Sequence, residues 1–347
     1  MKLYYFYDHH GNFGDALNDW MWDSLLPDRE DHSQDVWISG IGTILNHKMP
    51  KGRSWAVMGS GIGYGAPPVD FGDKNWKVFA VRGPLSARVL GLPPEKAITD
   101  AAMLLSLLPE YASSSSTHRS GVAFMPHYMS MAGGRWEDVC LLAGIDFIDP
   151  CSDTKLILSK IKSAKLVIAD AMHGAIVADT LRTPWIAASL NSTTDSFKWN
   201  DWCASMEVKH LPHRIPSSTL SDYVKSRSLR MYGEHMLMDG ADHDALVLMH
   251  SYRSKVSASA SAQLGFKVSK RLVREVSSVS NSIEQRFMSK MSQGRMEHAA
   301  ETLRAIANFP STLSKDSVFS ERREQMSKAL SSLADNNGVK MAGSLLI

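Results

Sequence analysis

The sequence predicts an α/β protein of two lobes, each a mostly parallel sheet wrapped by helices, followed by a mainly helical C-terminal region. Three observations predict it. Short apolar runs end repeatedly in glycine-bearing loops that lead into helix-like segments, as strands of a parallel sheet do. The pattern stops at a polar, serine-rich break and then starts again. The 347 residues exceed one ordinary core and suit two domains.

In chain order, residues 3–7 read as a strand, followed by the loop carrying Gly11, Asn12, Gly14 and Asp15 and a helix over 16–26. Residues 35–39 and 55–58 are the next strands, and the second of them runs into Gly59, Ser60, Gly61 and Gly63. Residues 78–81 form a fourth strand ending at Arg82-Gly83-Pro84, where Pro84 suits the first turn of a helix reaching about Leu90. The first lobe is thus expected over 1–112, with an apolar-poor linker over 113–121. The second lobe is expected over 122–214. Its strands fall at 122–125, 146–148, 166–169 and 185–188, and its helices at 154–161 and 174–182. Beyond about Leu211 strand signals vanish, and 215–347 reads as helical stretches separated by polar breaks. Two α/β halves place a site in the cleft between them, at the carboxyl ends of the strands.

Composition narrows the function classes. A hydrophobic fraction of 44% and a charged fraction of 21% describe a globular chain, and a net charge of +2 gives no global case for nucleic acid. Cys140, Cys151 and Cys203 are too scattered for a disulfide framework or a zinc site and suit a reducing compartment. The apolar N-terminal stretch ends at Asp8, too short for a signal-peptide core, and no run reaches membrane-spanning length, so a cytoplasmic location is expected. Residues 251–347 carry 15 Lys and Arg against 8 Asp and Glu. That imbalance reads as a solvated helical surface or as a tail leaning on an anionic membrane face.

The candidate chemistry sits at strand ends. Gly11, Asn12, Gly14 and Asp15 lie between a strand and a helix, where backbone N–H groups can approach an anion; glycine there also simply tightens the turn. Ser60 and Gly61 have the same standing. Arg82, at the end of a buried-looking strand, has a guanidinium suited to a phosphate or carboxylate; the alternative is an ion pair with a neighbouring carboxylate such as Asp100. His173 follows the strand at 166–169 and opens the next helix, a position suited to proton transfer or merely to helix capping. His127, after Met125-Pro126, is a third cleft candidate. No HxxxH, HExxH or paired-cysteine pattern is present, and no DxD-type acidic cluster lies beside a strand end, so no metal is expected. His9 and His10 beside Asp8 would point to opposite faces of an extended segment.

Taken in order, Gly11-Asn12-x-Gly14-Asp15, the Gly-Ser-Gly run at 59–61, Val81-Arg82-Gly83-Pro84-Leu85-Ser86, Thr99-Asp100, Pro126-His127 and Met172-His173-Gly174-Ala175 resemble the polysaccharide pyruvyl transferases. The likeness is nearest to the branch that adds pyruvate ketals in succinoglycan and xanthan synthesis, and covers roughly residues 1–205. It implies a fold similar to the two-lobed GT-B glycosyltransferases. It also implies phosphoenolpyruvate as donor, a lipid-linked oligosaccharide as acceptor, and no metal or other cofactor. By matching positions, Arg82 would bind the donor and His173 would be the catalytic histidine. Many members carry an arginine just ahead of that histidine, where this chain has Ala171-Met172. Lys198 is the expected substitute, and Asp15 and Asp100 are the motif carboxylates nearest to hand for a base. Trp199 and Trp202 read equally as a platform for a sugar ring or as core. The basic segment holding Lys267, Lys270, Arg271 and Arg274 would lean on the membrane that carries the acceptor. Two other readings remain open at this level: a GT-B-like transferase using a nucleotide sugar, and a catalytically silent scaffold of polysaccharide assembly.

Overall fold

A computed structural model describes residues 1–31, 35–63, 65–112, 118–190, 195–224, 242–257, 275–276, 279–280 and 289–346. The basic segment at 267–274 lies outside the described residues.

Two parallel sheets organise the chain. The first contains β1 (Lys2–Tyr4), β2 (Val36–Ser39), β3 (Ser54–Met58) and β4 (Trp76–Ala80), side by side in sequence order. Its registers include Leu3 opposite Ile38 and Ile38 opposite Ala56. The second contains β5 (Ser120–Met125), β6 (Asp146–Phe147), β7 (Ala164–Ala169), β8 (Trp185–Ser189) and β9 (His213–Arg214), in the order β6-β5-β7-β8-β9. Every pairing in both sheets is parallel. Strands buried on both faces read as continuous apolar runs, which is why residues 166–169 and 185–188 were legible from sequence. The strand order of the second sheet reverses between β5 and β7. The ends of those two strands therefore flank a crevice, the place where open α/β sheets take ligands.

The helices between strands are α1 (Phe13–Ala16), α2 (Asn18–Leu25), α3 (Pro84–Leu90), α4 (Tyr128–Met131), α5 (Trp136–Ala143), α6 (Thr154–Ser163), α7 (Met172–Thr180) and α8 (Ser196–Ser205). Pro84 occupies the first turn of α3 and Gly91 closes it in the left-handed conformation, at φ 65°. Asp153 and Asp195 cap α6 and α8 by accepting from backbone N–H groups.

Two departures from the sequence reading have simple causes. Strand β9 lies beyond the point where strand signals end, because two residues are too few to show alternation; its pairing with Ala188 and Ser189 holds it at the sheet edge. The C-terminal helices are built into the body rather than appended to it. Thr312 bridges to Trp185 on β8, and Asp179 accepts from the backbone N–H and hydroxyl of Ser314. The helix Asp316–Asn337 then buries Met326, Leu330 and Leu333 in a core shared with the 3-10 segment Ala101–Leu107 of the first lobe and with α7 of the second. That core spans both lobes. The helix Ser289–Ile306 covers the outer face of the second sheet through Ala299, Ala300 and Leu303, packed with Trp136 and Val139 of α5. Trp199 and Trp202 are buried with Trp185, at centroid distances of 6.3 and 5.3 Å from it, and so belong to the core.

Candidate active site

The loop after β1 crosses to the second lobe. The N–H of Phe13 donates to the carbonyl of Pro150 at 3.0 Å, and Gly11 sits against Cys151 with φ +86°. This contact brings α1 beneath the start of α7. Gly14 then lies directly against the His173 ring: a Cβ there would stand 1.9 Å from Nδ1 and 2.2 Å from Cγ. Only glycine leaves room for the imidazole in this place.

Around His173 the chain gathers most of the residues that the sequence singled out. Nε2 of His173 lies 3.7 Å from Oδ2 of Asp100, beyond hydrogen-bonding distance, and neither buried atom has a partner. The other oxygen of Asp100 is engaged, accepting from the N–H of Ala102 at the start of the Ala101–Leu107 segment. Asp15 is buried one residue beyond Gly14, and Asn12 donates to its carboxylate. Burial pushes the Asp15 carboxyl up to about 6; His173 and Lys198 pull it back, and Asp100 pushes it further. On the opposite wall, burial pushes His127 down to about 3, with Lys198 and His173 adding to the effect. A ring so disposed is neutral, and its Nδ1 accepts from the N–H of Met129. Lys198 reaches this group from α8 with its stem along Gly63, where a Cβ would meet Cγ at 2.7 Å.

Asp170, at the end of β7, fixes the crevice. It accepts from the N–H of His127 at 2.9 Å, the hydroxyl of Ser130 at 3.0 Å and the N–H of Leu190 at 3.2 Å. One buried carboxylate thus ties together the loops that follow β5, β7 and β8. Its place directly after the last residue of β7, at the end of a buried parallel strand, is the signal in the sequence that could have found it.

Arg82, Ser60 and Gly61 lie deeper. Arg82 is fully buried, and its Nε pairs with Asp201 on α8 at 3.0 Å. Its terminal nitrogens donate to Thr43 at 2.7 Å and to the carbonyl of Ile62 at 2.6 Å. The ion-pair alternative therefore describes Arg82 here, with Asp201 rather than Asp100 as its partner. Asp201 also accepts from the N–H groups of Leu85 and Ser86, so a carboxylate from α8 caps α3 across the lobe boundary. Gly61 gives the guanidinium its space, since a Cβ there would stand 2.4 Å from Cζ. The Ser60 hydroxyl bonds to the carbonyl and hydroxyl of Ser39, inside the first sheet. Asn12, Gly14, Asp15, Asp100, His127, His173 and Lys198 thus form one group, while Arg82, Ser60 and Gly61 form the support behind it. Among the described residues no three His, Cys, Asp or Glu side chains are grouped as a metal site requires.

Comparison with known proteins identifies the family. The family model described as polysaccharide pyruvyl transferase matches residues 73–192, a stretch that includes Arg82, Asp100, His127 and His173. The succinoglycan biosynthesis protein ExoV of Rhizobium meliloti (strain 1021) is 41% identical over 223 residues, covering 64% of this chain and 70% of that protein. The chain belongs to the polysaccharide pyruvyl transferase family. No solved structure matches it. As a pyruvyl transferase it is an enzyme, and its second lobe, from β5 to β8, contains much of the stretch matched by the family model.

Proposed function

We propose that this transferase moves pyruvate from phosphoenolpyruvate onto a sugar of a lipid-linked exopolysaccharide repeat unit, leaving a cyclic ketal. The observation that carries the reading is the His173 ring, seated on Gly14 with its unpartnered Nε2 turned toward the unpartnered Oδ2 of Asp100, beside Asp15 and Lys198. The exopolysaccharide context follows from the likeness to a succinoglycan biosynthesis protein.

Phosphoenolpyruvate brings a phosphate and a carboxylate, and Lys198 supplies cationic charge on the side of the group where His127 and His173 lie. In the first step His173 delivers a proton to the methylene carbon, which becomes a methyl group while positive charge develops at C2. A sugar hydroxyl attacks C2 and gives its proton to Asp15, whose raised carboxyl matches a base working near neutral pH. Phosphate then leaves with the C2–O bond electrons and takes the proton held by Asp15, which restores the base. The second hydroxyl of the same sugar closes the ketal, and its proton resets the acid. Asp100 orients the imidazole. Arg82 acts here as a positioning residue: through Asp201 and Thr43 it holds α8, and hence Lys198, against the first lobe.

In such a role the enzyme works where lipid-linked acceptors are held, at the inner face of a membrane. Among the described residues no helix is long and apolar enough to cross one. Contact with that surface is assigned to the basic segment at 267–274.

The test is phosphate release from phosphoenolpyruvate with lipid-linked acceptor from a strain lacking this gene. The wild-type protein is expected to release phosphate only with acceptor, also in the presence of EDTA. His173→Ala is expected to lose about 10²- to 10⁴-fold in rate. Release that survives the substitution discards His173 as the acid. Absence of release with matched acceptor discards the donor.

A further inference from the structure

Beside Asn12 and Asp15 a second feature opens. It is a cleft of about 270 Å³ whose walls are the loop following β1, the first turns of α1 and α2, and Cys151 of the second lobe. The loop is ordered by its own chemistry. Asp8 accepts from the N–H of His10 at 2.8 Å, its carbonyl accepts from the N–H of Gly11, and Tyr5 donates its hydroxyl to Asp19. Two aromatic side chains on this loop gain nothing from the core: Phe6 is 48% exposed and Tyr7 66%. The Tyr7 ring stands edge-on to His9 at 5.3 Å and presents its face to solvent.

The charge of the cleft decides what enters it. Asp8, Asp15 and Asp19 line it together with His9 and His10, and among the described residues no Lys or Arg does. A phosphate- and carboxylate-bearing donor is repelled by that wall and drawn to the Lys198 side instead. A neutral polyol is suited to it, because its hydroxyls donate to carboxylates while the C–H face of its ring covers an aromatic plate. Asn12 and Asp15 belong to both regions.

We propose that this cleft is the acceptor subsite, holding a neutral sugar of the glycan against Phe6 and Tyr7 with its paired hydroxyls turned toward Asp15. The proposal rests on the pyruvyl-transfer reading for the identity of the glycan, but its binding test does not need turnover. The lipid end of the acceptor then lies away from the catalytic group.

The experiment measures binding of depyruvylated succinoglycan repeat oligosaccharide by calorimetry and saturation-transfer NMR, for wild-type protein and for Phe6→Ala, Tyr7→Ala and the double variant. Both side chains are exposed, so melting temperatures are expected to stay within a degree or two of wild type. The dissociation constant is expected to rise about tenfold in the double variant, and the KM for phosphoenolpyruvate is expected to stay where it was. Oligosaccharide binding that is unchanged in the double variant, or undetectable in the wild-type protein, overturns the subsite. Binding that weakens as expected, in a protein that never consumes phosphoenolpyruvate, upholds the subsite and removes the donor reading alone.

Discussion

Replacing Gly14 with alanine separates the fold from the chemistry. The added Cβ would stand 1.9 Å from Nδ1, 2.2 Å from Cγ and 2.6 Å from Cε1 of His173, whereas ordinary contact begins near 3.4 Å. The imidazole must therefore retreat by 3.4 − 1.9 = 1.5 Å, or swing to another rotamer, and either movement carries it off its line with Asp100. A misplacement on the order of 1 Å costs about 10²-fold in rate, so kcat is expected to fall at least about 10²-fold. Stability should not follow it down. Gly14 lies within the helical turn α1 without a left-handed φ, and alanine is favoured over glycine in a helix by about 1 kcal/mol. The assay pairs phosphate release under saturating donor and acceptor with a urea melt of the same preparation. A variant that keeps its midpoint and loses its rate supports the seating of His173 on Gly14. A rate within about threefold of wild type refutes it, because the ring would then have no need of that place.

The remaining predictions concern two buried carboxylates. Asp15 is raised from its ordinary 3.8 to about 6, so the folded protein binds its proton more tightly than the unfolded chain does. Its ionisation therefore lowers stability progressively as pH climbs from about 4 to about 6, by an amount on the order of 3 kcal/mol above that window. Asp15→Asn is expected to melt higher than wild type at pH 7 and to lose that advantage by pH 4, while the rise of rate through about pH 6 disappears. A melting difference that is flat with pH contradicts the assignment. Asp201→Ala leaves the fully buried Arg82 without its counter-charge and uncaps α3, which should cost about 3–5 kcal/mol in chemical denaturation. Removing both charges, as Arg82→Met with Asp201→Leu, is expected to restore part of that loss. If the single variant melts like wild type, the ion pair does not hold the lobes.

The two parallel sheets and the strand ends that face the crevice were legible in the sequence. Buried parallel strands leave continuous apolar runs, and the turns after them need glycine, so residues 55–63, 78–84 and 166–174 announced themselves locally. His173, His127 and Asp15 were legible for the same reason, since each follows on a strand or on its loop, whereas Asp100 was legible only through the family resemblance. The tertiary structure alone decided what those residues meet. That Gly14 serves the His173 ring depends on a contact between residues 159 positions apart in the chain, which no local pattern records. Arg82 looked like a ligand for anions because its partner, Asp201, lies 119 residues away on α8. The Trp199–Trp202 segment went to the core, because α8 packs its indoles onto Trp185 of β8. The C-terminal helix gave no sign in sequence that it returns to the first lobe, since an amphipathic face states that it will be covered but not by what. Covalent neighbours fix periodicity and turn chemistry, whereas charge pairing and close approach are settled between distant segments only once the chain has folded.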